Sequence, residues 1–128
     1  MGRTFLFIAA ISGLLVVALG AFGAHALETR VPASHLIWWQ KAVDYQGLHT
    51  LALLGSGLLA LHHSSRPLLF AGWLFLLGIL LFSGSLYLLT LTGQRGLGMV
   101  TPFGGMAFLA GWFALALAAW RLPHRGDT

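Results

Sequence analysis

LLFAGWLFLLGILLFSGSLYLLTLT, running from Leu68 to Thr92, decides how this chain is built. It holds no charged residue and exceeds the roughly 20 apolar residues that cross a bilayer core. On a helical period its small and polar residues fall on two faces, Gly72, Ser83, Tyr87 and Thr90 on one and Gly78, Ser85 and Thr92 opposite. In lipid, apolar side chains gain little by leaving the solvent for one another. Helices there associate where small residues let backbones approach. A helix with two such faces needs neighbours on both, so this span is expected to be the least lipid-exposed member of a bundle.

Three further stretches fit the same requirement. The expected spans are about 4–24, 42–61, 68–92 and 102–120. The first gathers Ala9, Gly13, Gly20 and Ala24 on one stripe, and the fourth gathers Gly104, Ala107, Gly111, Ala114 and Ala118. The second gathers Ala42, Tyr45, Gln46, His49, Ser56 and Ala60. Thr101 is placed to cap the fourth helix, with Pro102 at its first position, where a missing donor costs nothing. The expected fold is therefore an all-α membrane protein. It is a single four-transmembrane-helix bundle over residues 1–128, with an interfacial loop, His25–Lys41, between helices 1 and 2. In that loop Pro32 prevents one continuous helix. Trp38 and Trp39 suit the half-wet boundary of the bilayer, so the segment is expected to lie along the surface.

Composition supports the same reading. Of 128 residues, 58% are hydrophobic and 8% charged, against about 45–50% and 25% in soluble domains. That excludes a soluble enzyme and a disordered tail, and the absence of cysteine excludes a disulfide scaffold. The net charge of +4 comes from seven scattered bases that form no stripe, so nucleic acid is not an expected partner. Arg3, Arg66, Arg121 and Arg125 fall on the side of the termini, and Arg30, Lys41 and Arg95 on the other. The excess places both termini in the cytoplasm. The first span begins like a signal peptide and reaches a small-x-small site at Ala24-His25-Ala26. It is long for such a segment and is expected to be retained.

The few polar residues inside the spans gather at the ends away from the termini. His25 closes the first span, Tyr45, Gln46 and His49 open the second, Ser83, Ser85 and Tyr87 close the third, and Thr101 opens the fourth. Two readings follow. The cluster is a hydrogen-bonded plug that fixes helix register, or it is a ligand site opening to the non-cytoplasmic face. The site reading predicts one cavity lined by His49 and Tyr87. Asp44 is expected to pair with Lys41 at the surface, and His62-His63 to be a wet loop pair. No residues combine as nucleophile, base and orienter, and no spacing supplies zinc ligands, so no catalytic residue, metal or cofactor is assigned. The expected function is non-catalytic binding of a lipid, a small apolar molecule or a partner subunit. The alternative is a small carrier or proton- or ion-conducting protein using His49 with Tyr45, Gln46 and Tyr87. Expected partners are membrane lipids and either a homo-oligomer or a partner membrane subunit.

Several of these segments carry a resemblance. Gly20-Ala-Phe-Gly-Ala-His-Ala-Leu27, Tyr45-Gln46 with His49 and Leu51-Ala-Leu-Leu54, Leu81-Phe-Ser-Gly-Ser-Leu-Tyr87, and Thr101-Pro-Phe-Gly-Gly105 with Gly111-Trp112 are similar to the DUF423 family of small bacterial membrane proteins. The resemblance covers all four spans in order and implies a multi-pass inner-membrane protein with no established activity. Asp44, Gly47 and Thr50 depart from its usual pattern around His49. The segments that resemble the family are the ones that bring the polar cluster together.

Overall fold

A computed structural model describes residues 1–124 and 126; Arg125, counted above on the terminal side, lies outside the described residues. Among the described residues there is no strand. Helix α1 is Gly2–Leu27, α2 is Ala33–Ala60, α3 is Arg66–Thr92 and α4 is Thr101–Trp120. A 3-10 turn, Arg95–Met99, leads into α4. Three helical segments, Gly2–Leu27, Arg66–Thr92 and Arg95–Trp120, are long and apolar enough to cross a membrane. Helix α2 has 28 residues, about 42 Å of helix. Its apolar character is diluted by Gln40, Lys41, Asp44, Gln46 and His49.

The expected interfacial loop is corrected. Helix α1 continues to Leu27 through a π-turn at Gly23–Leu27, and α2 begins at Ala33, so only Glu28–Pro32 connects them. Pro32 caps α2 and does not interrupt a surface segment. The reason is the spacing of Leu36, Trp39, Val43 and Gln46, which continues the inward face of α2 upstream. Trp39 is 3% exposed and donates its indole N–H to the Leu19 carbonyl at 2.8 Å. Its ring occupies the space a Cβ on Gly23 would need, so the glycine admits the tryptophan. Thr101 is corrected as well. Val100 is the N-cap of α4, and the Thr101 hydroxyl makes no cap bond but pairs with Ser85.

Helix α2 packs along α1 on one side and α3 on the other, and α3 packs along α4. The small-residue stripe of α4 performs as its sequence predicts: Gly104, Ala107, Gly111 and Ala118 are buried. A Cβ on Gly104 would collide with the backbone of Phe82, within a π-turn of α3 at Ile79–Ser83. Of the three apolar segments, α3 is the most buried, at 44% against 17% for α1 and 28% for the segment containing α4. Its two small faces both have neighbours. In the half nearer the termini, Phe5, Ala9, Leu53, Ala71 and Phe75 form a dry core. There Phe5 lies edge-on to Trp73, their ring centroids 5.3 Å apart, and against Gly72. Beyond this contact α1 and α3 part, leaving a cleft between them.

Candidate functional site

Gln46 and His49 lie one turn apart on α2 and face different neighbours. Gln46 turns toward α1 and α3. Its Nε2 donates to Ser12 Oγ at 3.1 Å and lies 3.4 Å from the Ser12 carbonyl. A carbonyl oxygen can only accept, which orients the amide: nitrogen toward Ser12, oxygen toward Tyr87. The Tyr87 hydroxyl then donates to Gln46 Oε1 at 2.6 Å. Ser12 Oγ and Thr50 Oγ1, 2.7 Å apart, continue the chain. This network ties α1, α2 and α3 together about 15 Å along α1 from Gly2.

His49 turns toward α4. The Trp112 indole, a donor only, reaches its Nε2 at 3.0 Å, and the Tyr45 carbonyl, an acceptor only, lies 2.7 Å from its Nδ1. The two bonds fix the tautomer with hydrogen on Nδ1, and both ring nitrogens are used. The Phe108 ring stacks on the imidazole at 3.4 Å between centroids and 7° between planes. His49 is 2% exposed.

The eight residues expected in one cluster are therefore distributed among separate seams. Gln46 and Tyr87 share one bonded network. His49 is joined to Tyr45 through its carbonyl, while the Tyr45 ring is 41% exposed and stacks on Phe82. Ser83 donates to the Ala42 carbonyl at 2.7 Å, across the α2–α3 seam. Ser85 bonds Thr101 and the Phe82 carbonyl on the side of α4. His25 is exposed on the π-turn of α1 and stands outside the group. Asp44 accepts from Gln40 Nε2 at 2.8 Å, in place of the expected Lys41 pair. Among the described residues, no buried side-chain polar atom lacks a partner, and no three His, Cys, Asp or Glu come together as a metal would require.

Two recesses open sideways, and the single cavity expected between His49 and Tyr87 is divided between them by α2. One is the α1–α3 cleft, about 380 Å³. Its walls include Ile8, Ile11, Leu15, Ile79 and Leu80, and its polar lining is Ser12, Gln46 and Tyr87. The other lies between α2 and α4, about 470 Å³, and includes His49, Phe82, Phe108 and Trp112. Both fall within the range of small-molecule sites, so volume does not distinguish them. Polarity does. In the second recess both nitrogens of the imidazole are engaged. The surface of the first is almost wholly apolar, with Ser12, Gln46 and Tyr87 bonded to one another behind it.

Sequence reasoning missed Ser12, Thr50, Trp39 and Trp112 as partners. Ser12 had a readable signal, being the one hydroxyl between Thr4 and Ala24. Trp112, an amphipathic ring in an apolar helix, had none until α4 was docked beside α2.

The profile of the family described as "Protein of unknown function (DUF423)" matches residues 19–105. The UPF0382 inner membrane protein YgdD of Escherichia coli is 44% identical over 124 residues, 97% of this chain and 95% of that protein. A UPF0382 membrane protein of Staphylococcus saprophyticus is 40% identical over 120 residues, 94% of this chain and 99% of that protein. A Staphylococcus epidermidis relative is 43% identical over 116 residues, 91% and 94% respectively. No solved structure matches.

Proposed function

The chain belongs to the DUF423 family of membrane proteins, a family with no named activity, and from that premise we propose that it is a non-catalytic, four-span protein of the cell membrane that holds one apolar chain in the cleft between α1 and α3. In this reading α2 is the fourth span, with Gln46, His49, Thr50 and Ser56 buried against its neighbours and Gln40, Lys41 and Asp44 exposed nearer its start, and both termini face the cytoplasm.

The observation that carries the proposal is the cleft itself. Helix α1 is the least buried of the three apolar segments, and the cleft lies along the side of it that faces α3. An acyl or isoprenoid chain, or a small apolar molecule, would complete that side. Binding from lipid gains no hydrophobic transfer energy, so selectivity would rest on van der Waals fit.

Gly84 supplies the test. It lines the cleft, and a Cβ built there meets nothing closer than the Ile79 carbonyl at 4.0 Å. Gly84→Leu should therefore fill the cleft and leave the fold intact. Native mass spectrometry of protein extracted from its own membrane should show a bound apolar molecule on the wild type and its loss from Gly84→Leu. Equal occupancy in both, with the variant folded, would contradict the reading.

A further inference from the structure

Taking α2 as the fourth span, as proposed above, we infer that its outward stripe is the interface between two copies of this chain. The copies are related by a two-fold axis along the bilayer normal, and Lys41 of each pairs with the partner's Asp44. The α1–α3 cleft plays no part in the inference.

Helix α2 exposes little of itself. From Lys41 to Ala60, apart from Tyr45, the exposed residues are Lys41, Asp44, Leu48, Leu51, Gly55 and Leu58. Their steps alternate between three and four residues, the spacing of a left-handed coiled-coil seam. A face meant for lipid alone would be apolar throughout, as the exposed residues of α1 between Phe7 and Phe22 are. This one carries a base, an acid and a glycine.

Depth makes the acid decisive. Gln46 meets Ser12, ten residues from Gly2, and α1 is 26 residues long, about 39 Å. Asp44 sits two residues nearer the start of α2, about 18 Å from the level of Gly2 and about 21 Å from that of Leu27. A hydrocarbon core of about 30 Å leaves about 9 Å of helix to share between the two ends, so Asp44 stays at least about 9 Å inside the core. Its side chain is too short to reach the boundary. Charged residues at such depth face protein and pair with one another. Among the described residues Asp44 accepts from Gln40 Nε2 and not from Lys41. It lines an open recess of about 320 Å³ with Ile37, Gln40, Lys41 and Tyr45. Gly55 adds a second observation. A Cβ built there meets nothing within 4 Å, so packing among the described residues does not call for a glycine, a poor helix former. A helix from outside does, because glycine lets two backbones approach. The occupant is a second copy because the stripe is self-complementary. All copies insert in one orientation, so two α2 helices meet in parallel about the axis. Lys41 and Asp44, one turn apart, then come within reach of their counterparts, making two pairs with no net charge left over.

The chain holds no cysteine, so single-cysteine variants report one position each. Copper-phenanthroline oxidation in native membranes should give a disulfide-linked dimer with Leu51→Cys and Leu58→Cys. It should give none with Leu14→Cys or Leu109→Cys, exposed on α1 and α4. On the Leu51→Cys background, Lys41→Asp alone and Asp44→Lys alone should each lose the dimer. The two variants, differently tagged and co-expressed, should regain it as a mixed dimer. Equal crosslinking at all four positions, or a dimer indifferent to both charge changes, would overturn the proposal. No crosslink at Leu51→Cys, with that cysteine unlabelled by a membrane-impermeant maleimide, would overturn the dimer and spare the fourth span. Labelling by the maleimide in intact bilayers would overturn both. If either charge variant fails to fold, the cysteine pattern still decides.

Discussion

Gln46 and His49 are neighbours on one helix, both nearly fully buried, and they end in opposite situations. His49 has given every hydrogen-bonding site to the protein, one nitrogen to Tyr45 and the other to Trp112, with Phe108 laid over its ring. Gln46 is anchored as firmly, to Ser12 and Tyr87, and lies behind the apolar wall of the α1–α3 cleft. An ionisable residue inside a membrane segment is by default a functional candidate. Here the imidazole is a joint between α2 and α4, and the amide is a joint among α1, α2 and α3. What separates the two is the seam each one enters.

Substitutions can break that contrast. The largest loss is expected for His49→Ala, which leaves the Trp112 N–H without its acceptor and a void beneath Phe108. Unfolding titrations in mixed micelles should show a cost of about 2–4 kcal/mol, with saturable labelling of the α1–α3 cleft retained in the folded fraction. A transport or binding defect at unchanged stability would instead make His49 functional. Next comes Gly104→Ala, which drives a methyl into the Phe82 backbone. Overpacking at a backbone contact should cost about 1–3 kcal/mol by the same titration. Ser12→Ala removes one link of the network and should cost about 0.6 kcal/mol, the average for hydrogen bonds between membrane helices, and no more than about 1.7. Gly84→Leu should change stability by less than about 0.5 kcal/mol and still abolish ligand retention. That smallest structural effect carries the greatest functional one.

Much of the fold was legible in the chain. Leu68–Thr92 announced two packed faces, and α3 is indeed the most buried of the three apolar segments. The Gly104–Ala118 stripe of α4 faces inward as its period requires. The start of α2 was not legible. Leu36, Trp38 and Trp39 beside charged residues satisfy both an interfacial segment and the first turns of a helix. Only the docking of Trp39 against Leu19 and Gly23 favours the second. Topology alone sends the polar ends of the spans toward one half of the bundle, while Ser12 and Ser56 are buried outside that group. Which seam each one enters depends on helix rotation. A shift of one residue, about 100°, changes which neighbour a side chain meets, and only the docked helices decide it.

The two recesses provide the most direct test of this account. An alkyl chain carrying a diazirine, photolysed with the protein in vesicles and competed with excess unlabelled chain, should mark both recesses, since both are open at the protein surface. The account predicts that labels on Ile11, Leu15 and Leu80 in the α1–α3 cleft fall under competition. Labels on Met106 and Leu109 in the α2–α4 recess should persist at the background level of bulk lipid. Competition at the α2–α4 recess with none at the cleft would contradict it and return the site to His49.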